Sequence, residues 1–292
     1  MKASSFVFDA IGTKWQIEYS PSKLSGPKDA LLQKVRDRIE LFDKTYSRFR
    51  KDSIVTQMAK KKGVYDLPQD SDELLAVYRK LYTLTDGLFT PLIGQTLSDA
   101  GYDAQYSLAE KELSKPPTWE KTLSYTKSSV SMFHPALLDF GAGGKGYLVD
   151  LVGKIFEETG VLSYCIDAGG DILQKSKDNL PVIIGLENPN NFKQVIGTIN
   201  ICNESICASA GNRRTWGSYN HMINPKTLTS PTRILSTWVT AKKALLADSL
   251  ATCLFFTSST IFAKDFEFEY LILYRDFSTE KSSGFKADLF TK

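Results

Sequence analysis

Residues 141–146 read GAGGKG, four glycines in six positions. Glycine forfeits more chain entropy on folding than any other residue, so such a cluster persists where the backbone must be approached closely or must take an unusual φ. Gly141, Gly143 and Gly146 also spell G-x-G-x-x-G. An apolar run, Ala136 to Phe140, leads in, a helical pattern follows, and Asp167 ends the next apolar run about 20 residues on, where a dinucleotide-binding turn places its acid. The first choice is therefore between a Rossmann turn and another kind of ligand loop.

The order of elements weighs against the Rossmann turn. Trp15, Ile17 and Tyr19 alternate over 14–19 and predict a strand. Leu31, Leu32, Val35, Ile39 and Phe42 recur at helical spacing over 28–45. A second helix is predicted over 71–85, with Ser71 as N-cap, Asp72 and Glu73 in its first turn and Asp86-Gly87 as its stop. The stretch 102–127 is polar and irregular and reads as a surface excursion. After the glycines, Leu148, Leu151, Val152, Ile155 and Phe156 mark a helix closed by Gly160. Strand-like runs follow at 163–167, 181–186, 195–201, 205–209 and 235–240, then a helix at 242–256 and a last strand at 268–275. No segment repeats and no linker divides the chain. Helices early and strands late, with one βαβ-like unit, predict a single α+β domain over 1–292.

Composition narrows the partners. The chain has 292 residues, 42% hydrophobic and 24% charged, enough apolar material for a sizeable core. Net charge is +3 with no basic face in the sequence, which argues against nucleic acid. Cys165, Cys202, Cys207 and Cys253 lack C-x-x-C spacing and read as free thiols of a reducing compartment. No run reaches the roughly 20 apolar residues of a membrane span, and Asp9 interrupts the only apolar stretch near the start. The expected location is cytoplasmic, with an extracytoplasmic, membrane-anchored form as the alternative if a leader precedes this sequence.

Three constellations carry chemistry. Asp139 and Lys145 bracket the glycine loop, where free backbone groups, a helix N-terminus and a point charge together suit an anion; a tight turn with a solvent-facing lysine is the plainer reading. Asp248 and Thr252 stand four apart, on one face of the otherwise small and apolar AKKALLADSLATCLFF. A carboxylate there is costly unless paired or bound to a cation, and carboxylate plus hydroxyl is a hard-oxygen pair suited to Mg²⁺; an Asp–Thr contact to neighbouring backbone is the alternative. His221 precedes an Asn-Pro turn, and a lone histidine is more often structural than catalytic. His134 is read as structural.

In order, IGT (11–13), YSRFRKDS (46–53), TDGLFTP (85–91), LDFGAGGKGYLVD (138–150), AGGD (168–171), ASAGNRR (208–214), HMINP (221–225) and ADSLAT (247–252) resemble the motifs of the ApbE family of flavin transferases. The resemblance implies a mixed, largely antiparallel sheet with flanking helices, and makes the Rossmann fingerprint a coincidence. It implies Mg²⁺-dependent cleavage of FAD, transfer of FMN to a Thr or Ser hydroxyl of an acceptor protein, and release of AMP. By family pattern the metal ligands are Asp248, Thr252 and the Ala142 main-chain carbonyl. His221 and Asp248 are the catalytic residues, His221 as base. Phe49, Leu88, Phe89, Thr90, Asp139, Lys145 and Ile223 match FAD-contacting positions. An FAD pyrophosphatase or a non-catalytic FAD-binding protein is the alternative. The chain departs from the family at Thr90 and Asn224, where relatives carry Asp, at Ile11, where they carry Met, and at Ser209-Ala210-Gly211, where they carry Thr-Ser-Gly. EKSSGF (280–285) faintly echoes an acceptor motif and is read as a loop.

Overall fold

A computed structural model describes residues 4–21 and 24–290. Its centre is an eight-stranded sheet. In spatial order the strands are Ser4–Ala10, Thr13–Tyr19, Tyr164–Ala168, Ile172–Lys175, Ser205–Ala210, Ile234–Ala241, Glu269–Tyr274 and Thr279–Lys281. Every neighbouring pair is antiparallel. That removes the Rossmann reading, since a dinucleotide fold needs parallel strands joined by crossover helices. The run Ala136–Phe140 forms no strand at all. Asp167 accepts a hydrogen bond from Gly170 N–H at 2.9 Å and so stabilises a turn of its own strand.

Side-chain alternation explains why the sheet is covered on both faces. Cys207, Val239 and Ile272 point into the larger core, while their neighbours Ile206, Trp238, Leu271 and Leu273 point into a second one. Strands buried on both sides lose the polar alternation: EYLILY is nearly all apolar, and ILSTWVTA buries Ser236, Thr237 and Thr240 among its apolar residues. The larger core is closed by helices Lys28–Tyr46, Ser71–Leu84, Gly144–Glu158 and Ala244–Cys253. The second is closed by a three-stranded sheet of Val182–Asn188, Asn191–Ile201 and Ala287–Leu289. The Thr13–Tyr19 strand shows the rule in miniature: Trp15 and Ile17 are fully buried while Lys14, Gln16 and Glu18 face outward. Fully burying one such large apolar side chain stabilises by about 1.5–3 kcal/mol.

Some boundaries differ from expectation. Ser71 is the first residue of its helix and Asp70 the N-cap. The Ser71 hydroxyl instead bonds the Pro68 carbonyl at 2.5 Å, beneath the Tyr46 hydroxyl at 2.7 Å. The expected helix 242–256 is regular only over Ala244–Cys253. Within 102–127, Trp119–Thr122 forms a helical turn and Leu123–Thr126 a strand, and Trp119 and Leu123 are buried. Among the described residues no helix is long and apolar enough to cross a membrane.

Candidate active site

The four loop glycines are not needed for left-handed backbone, since none has positive φ. They are needed for space. A methyl group on Gly143 would run into the Ser249 hydroxyl, and one on Gly144 would lie 3.2 Å from the Phe42 ring. On Gly146 it would collide with the Ala244 carbonyl and stand 2.8 Å from Asp248 Cβ. At Gly146 the two helices thus cross backbone against backbone, which lets Gly146 N–H donate to Asp248 Oδ2 at 2.9 Å. Asp150 secures the same crossing by accepting from Ala244 N–H and Leu245 N–H, both at 2.9 Å, at the first turn of the Asp248 helix. Gly146→Ala is expected to force the helices apart and cost about 3 kcal/mol or more. A thermal melt against the wild type checks this; an unchanged melting temperature would show that the crossing yields easily.

The loop opens onto a cleft of ≈ 1220 Å³ whose lining contains every residue named from the sequence as a site candidate. Phe49 and Ile223 form one wall, with Tyr102 and Tyr106. The Phe49 ring stacks on Tyr106 at 5.3 Å, so part of the polar excursion folds back to build the cleft. Leu88, Phe89 and Thr90 form the adjoining edge, with Phe89 packed on Tyr78 at 4.7 Å. His134 is exposed and lies outside the cleft.

Asp139 folds back onto the loop, its Oδ1 accepting from Gly141 N–H at 2.7 Å, while Oδ2 pairs with the Arg48 guanidinium. Arg48 is buried, donates to the Tyr102 carbonyl at 2.6 Å and lies 4.2 Å from the Phe49 ring centroid. Sequence reasoning chose Phe49 from YSRFRKDS and passed over Arg48. The signal was an arginine beside an aromatic in a segment already singled out. Asp171, in the AGGD motif, is the other omission. It is fully buried and its Oδ2 lies 2.7 Å from Lys145 Nζ.

Asp248 is 5% exposed on an apolar helix. Burial first, and the Asp171 charge second, push its carboxyl well above the usual carboxylate range; Lys145 and Gly146 N–H only partly oppose them. Burial works against the Lys145 ammonium too, but Asp171 and then Asp248 more than offset it and leave Lys145 above the ordinary lysine range. Thr252 lies one turn from Asp248, with its Oγ1 3.5 Å from Ser209 Oγ. Among the described residues no three His, Cys, Asp or Glu side chains cluster as a metal site. Any cation here would therefore draw on hydroxyl and main-chain oxygens as well as Asp248, and Thr252 and Ala142 line the same cleft. His221 lines the same cleft, with a pKa lowered to about 4, by burial first and then by the Arg214 charge, against the pull of Asp139.

Thr90, Asn224 and Ile11 each have a local role. Thr90 caps the short Pro91–Ile93 turn by accepting from Leu92 N–H at 3.2 Å. Asn224 Oδ1 accepts from Lys226 N–H at 2.9 Å and Thr227 N–H at 3.2 Å, a turn that an aspartate would make in the same way. Ile11 has φ 44° ahead of Gly12 at φ 75°, in the two-residue hairpin turn at the cleft edge. A β-branched residue held there costs on the order of 1–3 kcal/mol.

An antiparallel sheet under helices thus carries a cleft that sets a lysine, a buried carboxylate, hydroxyls and a histidine around a glycine loop. The ApbE family's sequence profile matches residues 11–264, and the chain belongs to that family. It is 25% identical over 266 residues to the FAD:protein FMN transferase of Vibrio cholerae, covering 83% of this chain and 78% of that protein. It is also 25% identical to the FAD:protein FMN transferase of Haemophilus influenzae, covering 98% of this chain and 91% of that one. Among solved structures, the ApbE protein of Thermotoga maritima superimposes with a TM-score of 0.84 at 20% identity, covering 98% of each chain. The flavin transferase ApbE of Vibrio cholerae gives 0.78 at 21% identity, also covering 98% of each.

Proposed function

We propose that this protein is an FAD:protein FMN transferase. The observation that carries the reading is the convergence, in one cleft, of Lys145, the Asp248–Thr252 pair and His221. The acceptor is a Ser or Thr hydroxyl of another protein. His221 takes the hydroxyl proton, and the oxygen attacks the FMN phosphorus. A new P–O bond forms, the pyrophosphate P–O bond breaks, and AMP leaves with the electron pair. Lys145 faces the phosphates as a fixed positive charge, and Asp139, held by Arg48, keeps the loop in shape beneath them. Phe49 and Ile223 offer the flavin an apolar wall, and the Leu88–Thr90 edge borders it. Asp248, Thr252 and the Ala142 carbonyl would hold Mg²⁺. Bound there, Mg²⁺ would supply charge neutralisation at the pyrophosphate oxygens. The four cysteines are free, which fits the cytoplasm as the proposed location.

The test is incubation with FAD and a Ser/Thr-containing candidate acceptor, with and without Mg²⁺, following AMP by chromatography and the acceptor by mass spectrometry. The expected result is Mg²⁺-dependent AMP release matched by FMN-sized mass gain on the acceptor. AMP with free FMN and no mass gain would identify a pyrophosphatase instead. FAD binding without AMP, across a panel of acceptors, would identify a binding protein.

A further inference from the structure

We propose that Asp171 is a positioning residue whose carboxylate fixes the Lys145 ammonium in the cleft wall before any ligand arrives. Lys145 lines the cleft with 28% of its side chain exposed, whereas the Asp171 side chain is 1% exposed and lies behind it, outside the lining. Asp171 Oδ2 is 2.7 Å from Lys145 Nζ, neither of its oxygens accepts a hydrogen bond among the described residues, and Lys145 Nζ also donates to the Gly169 carbonyl at 3.5 Å. A buried carboxylate without other donors depends on its one counter-charge, so the two groups hold each other in place.

The backbone around Asp171 is built to deliver it there. Gly169 and Gly170 have φ 69° and 98°, and the Asp171 carbonyl accepts from Ala168 N–H at 2.9 Å. Gly169 packs against Thr13 so closely that no side chain fits at that position. The turn cannot shift without disturbing the neighbouring strand, and Asp171 is therefore a rigid anchor. Lysine has a flexible four-carbon stem and about 2 kcal/mol of rotamer entropy. Clamping its head removes that cost from the reaction and supplies a preorganised charge where negative charge builds up. Asp171 does not line the cleft, which separates it from the residues that touch ligand.

The kinetic arm of the test rests on the transferase reading; the spectroscopic arm does not. With ¹⁵N-labelled lysine, the wild-type Lys145 Nζ is expected to give a slowly exchanging ammonium signal, assigned by its loss in Lys145→Gln. Asp171→Asn should lose that signal while other lysine signals stay. In the AMP-release assay, Asp171→Asn should lower kcat about 10- to 100-fold with KM for FAD nearly unchanged, as expected when a charge-assisted contact is lost from the transition state. The double variant Asp171→Asn/Lys145→Gln should be no slower than Lys145→Gln alone. A merely structural Asp171 would reduce the folded fraction, and its effect would add to that of Lys145→Gln. Additive losses, or an ammonium signal unchanged in Asp171→Asn, would overturn the proposal. Should Asp171→Asn fail to fold, the wild-type spectrum decides alone: a Lys145 signal averaged with the surface lysines would refute the clamp.

Discussion

Asp248→Asn is expected to abolish cation-dependent turnover while leaving the fold as stable as before, or more so. The side chain sits at 5% exposure, and burial together with the Asp171 charge disfavours its ionised form. Asparagine has nearly the same shape and keeps an oxygen that can accept from Gly146 N–H, the one hydrogen bond of Asp248 among the described residues. It lacks the charge and has an NH2 in place of one oxygen, and in the folded protein that charge is a liability unless a cation meets it. The melting temperature in chelator should therefore hold or rise. Mg²⁺ should raise the melting temperature of the wild type and leave that of the variant unmoved, because only a ligand that binds the native state stabilises it. AMP release should fall by about 10³-fold or more, the scale on which removing a preorganised electrostatic contact acts. A variant that still gains stability from Mg²⁺ would place the cation elsewhere, whatever its turnover.

How much of this was legible in the sequence depended on whether the determining contact was local. Helical spacing found the Lys28–Tyr46 and Gly144–Glu158 helices because their buried faces recur within each segment. The Asp248–Thr252 pair was found because both lie on one helix. Arg48 and Asp139 are 91 positions apart, and Lys145 and Asp171 meet only because an antiparallel sheet carries the AGGD turn past the glycine loop. Nothing local marks either pair, and a buried ion pair is invisible until the topology is known. The glycine run misled in another way. G-x-G-x-x-G fits any loop where a helix must start close against other backbone, and here the close neighbour is the Ala244–Cys253 helix. The edge strand Ser4–Ala10 escaped notice because burial is lopsided there: Phe6 is 5% exposed but Val7 is 57%.

His221 carries the second large effect. His221→Ala is expected to lower FMN transfer about 10²- to 10⁴-fold, the usual contribution of a general base, with FAD affinity largely retained. The pH dependence is more telling than the size. Burial, and then the Arg214 charge, lower the imidazole to about 4 from its ordinary 6.5. The neutral form is thus the one present at pH 7, and it stays able to accept a proton well into the acid range. Transfer limited by His221 should show no inflection near 6.5 and should fall only as pH approaches about 4. Folding stability follows the same sign. Between about 4 and 6.5 the unfolded chain binds a proton that the folded site refuses, so stability is lost as pH drops through that window. The full shift corresponds to about 3 kcal/mol. Melting curves of wild type and His221→Gln between pH 4 and 7 should therefore converge toward acid, since glutamine has no charge to refuse. A rate inflection near 6.5, or parallel melting curves, would mean a solvated imidazole at 221, and the base would have to be sought among the other groups of the cleft.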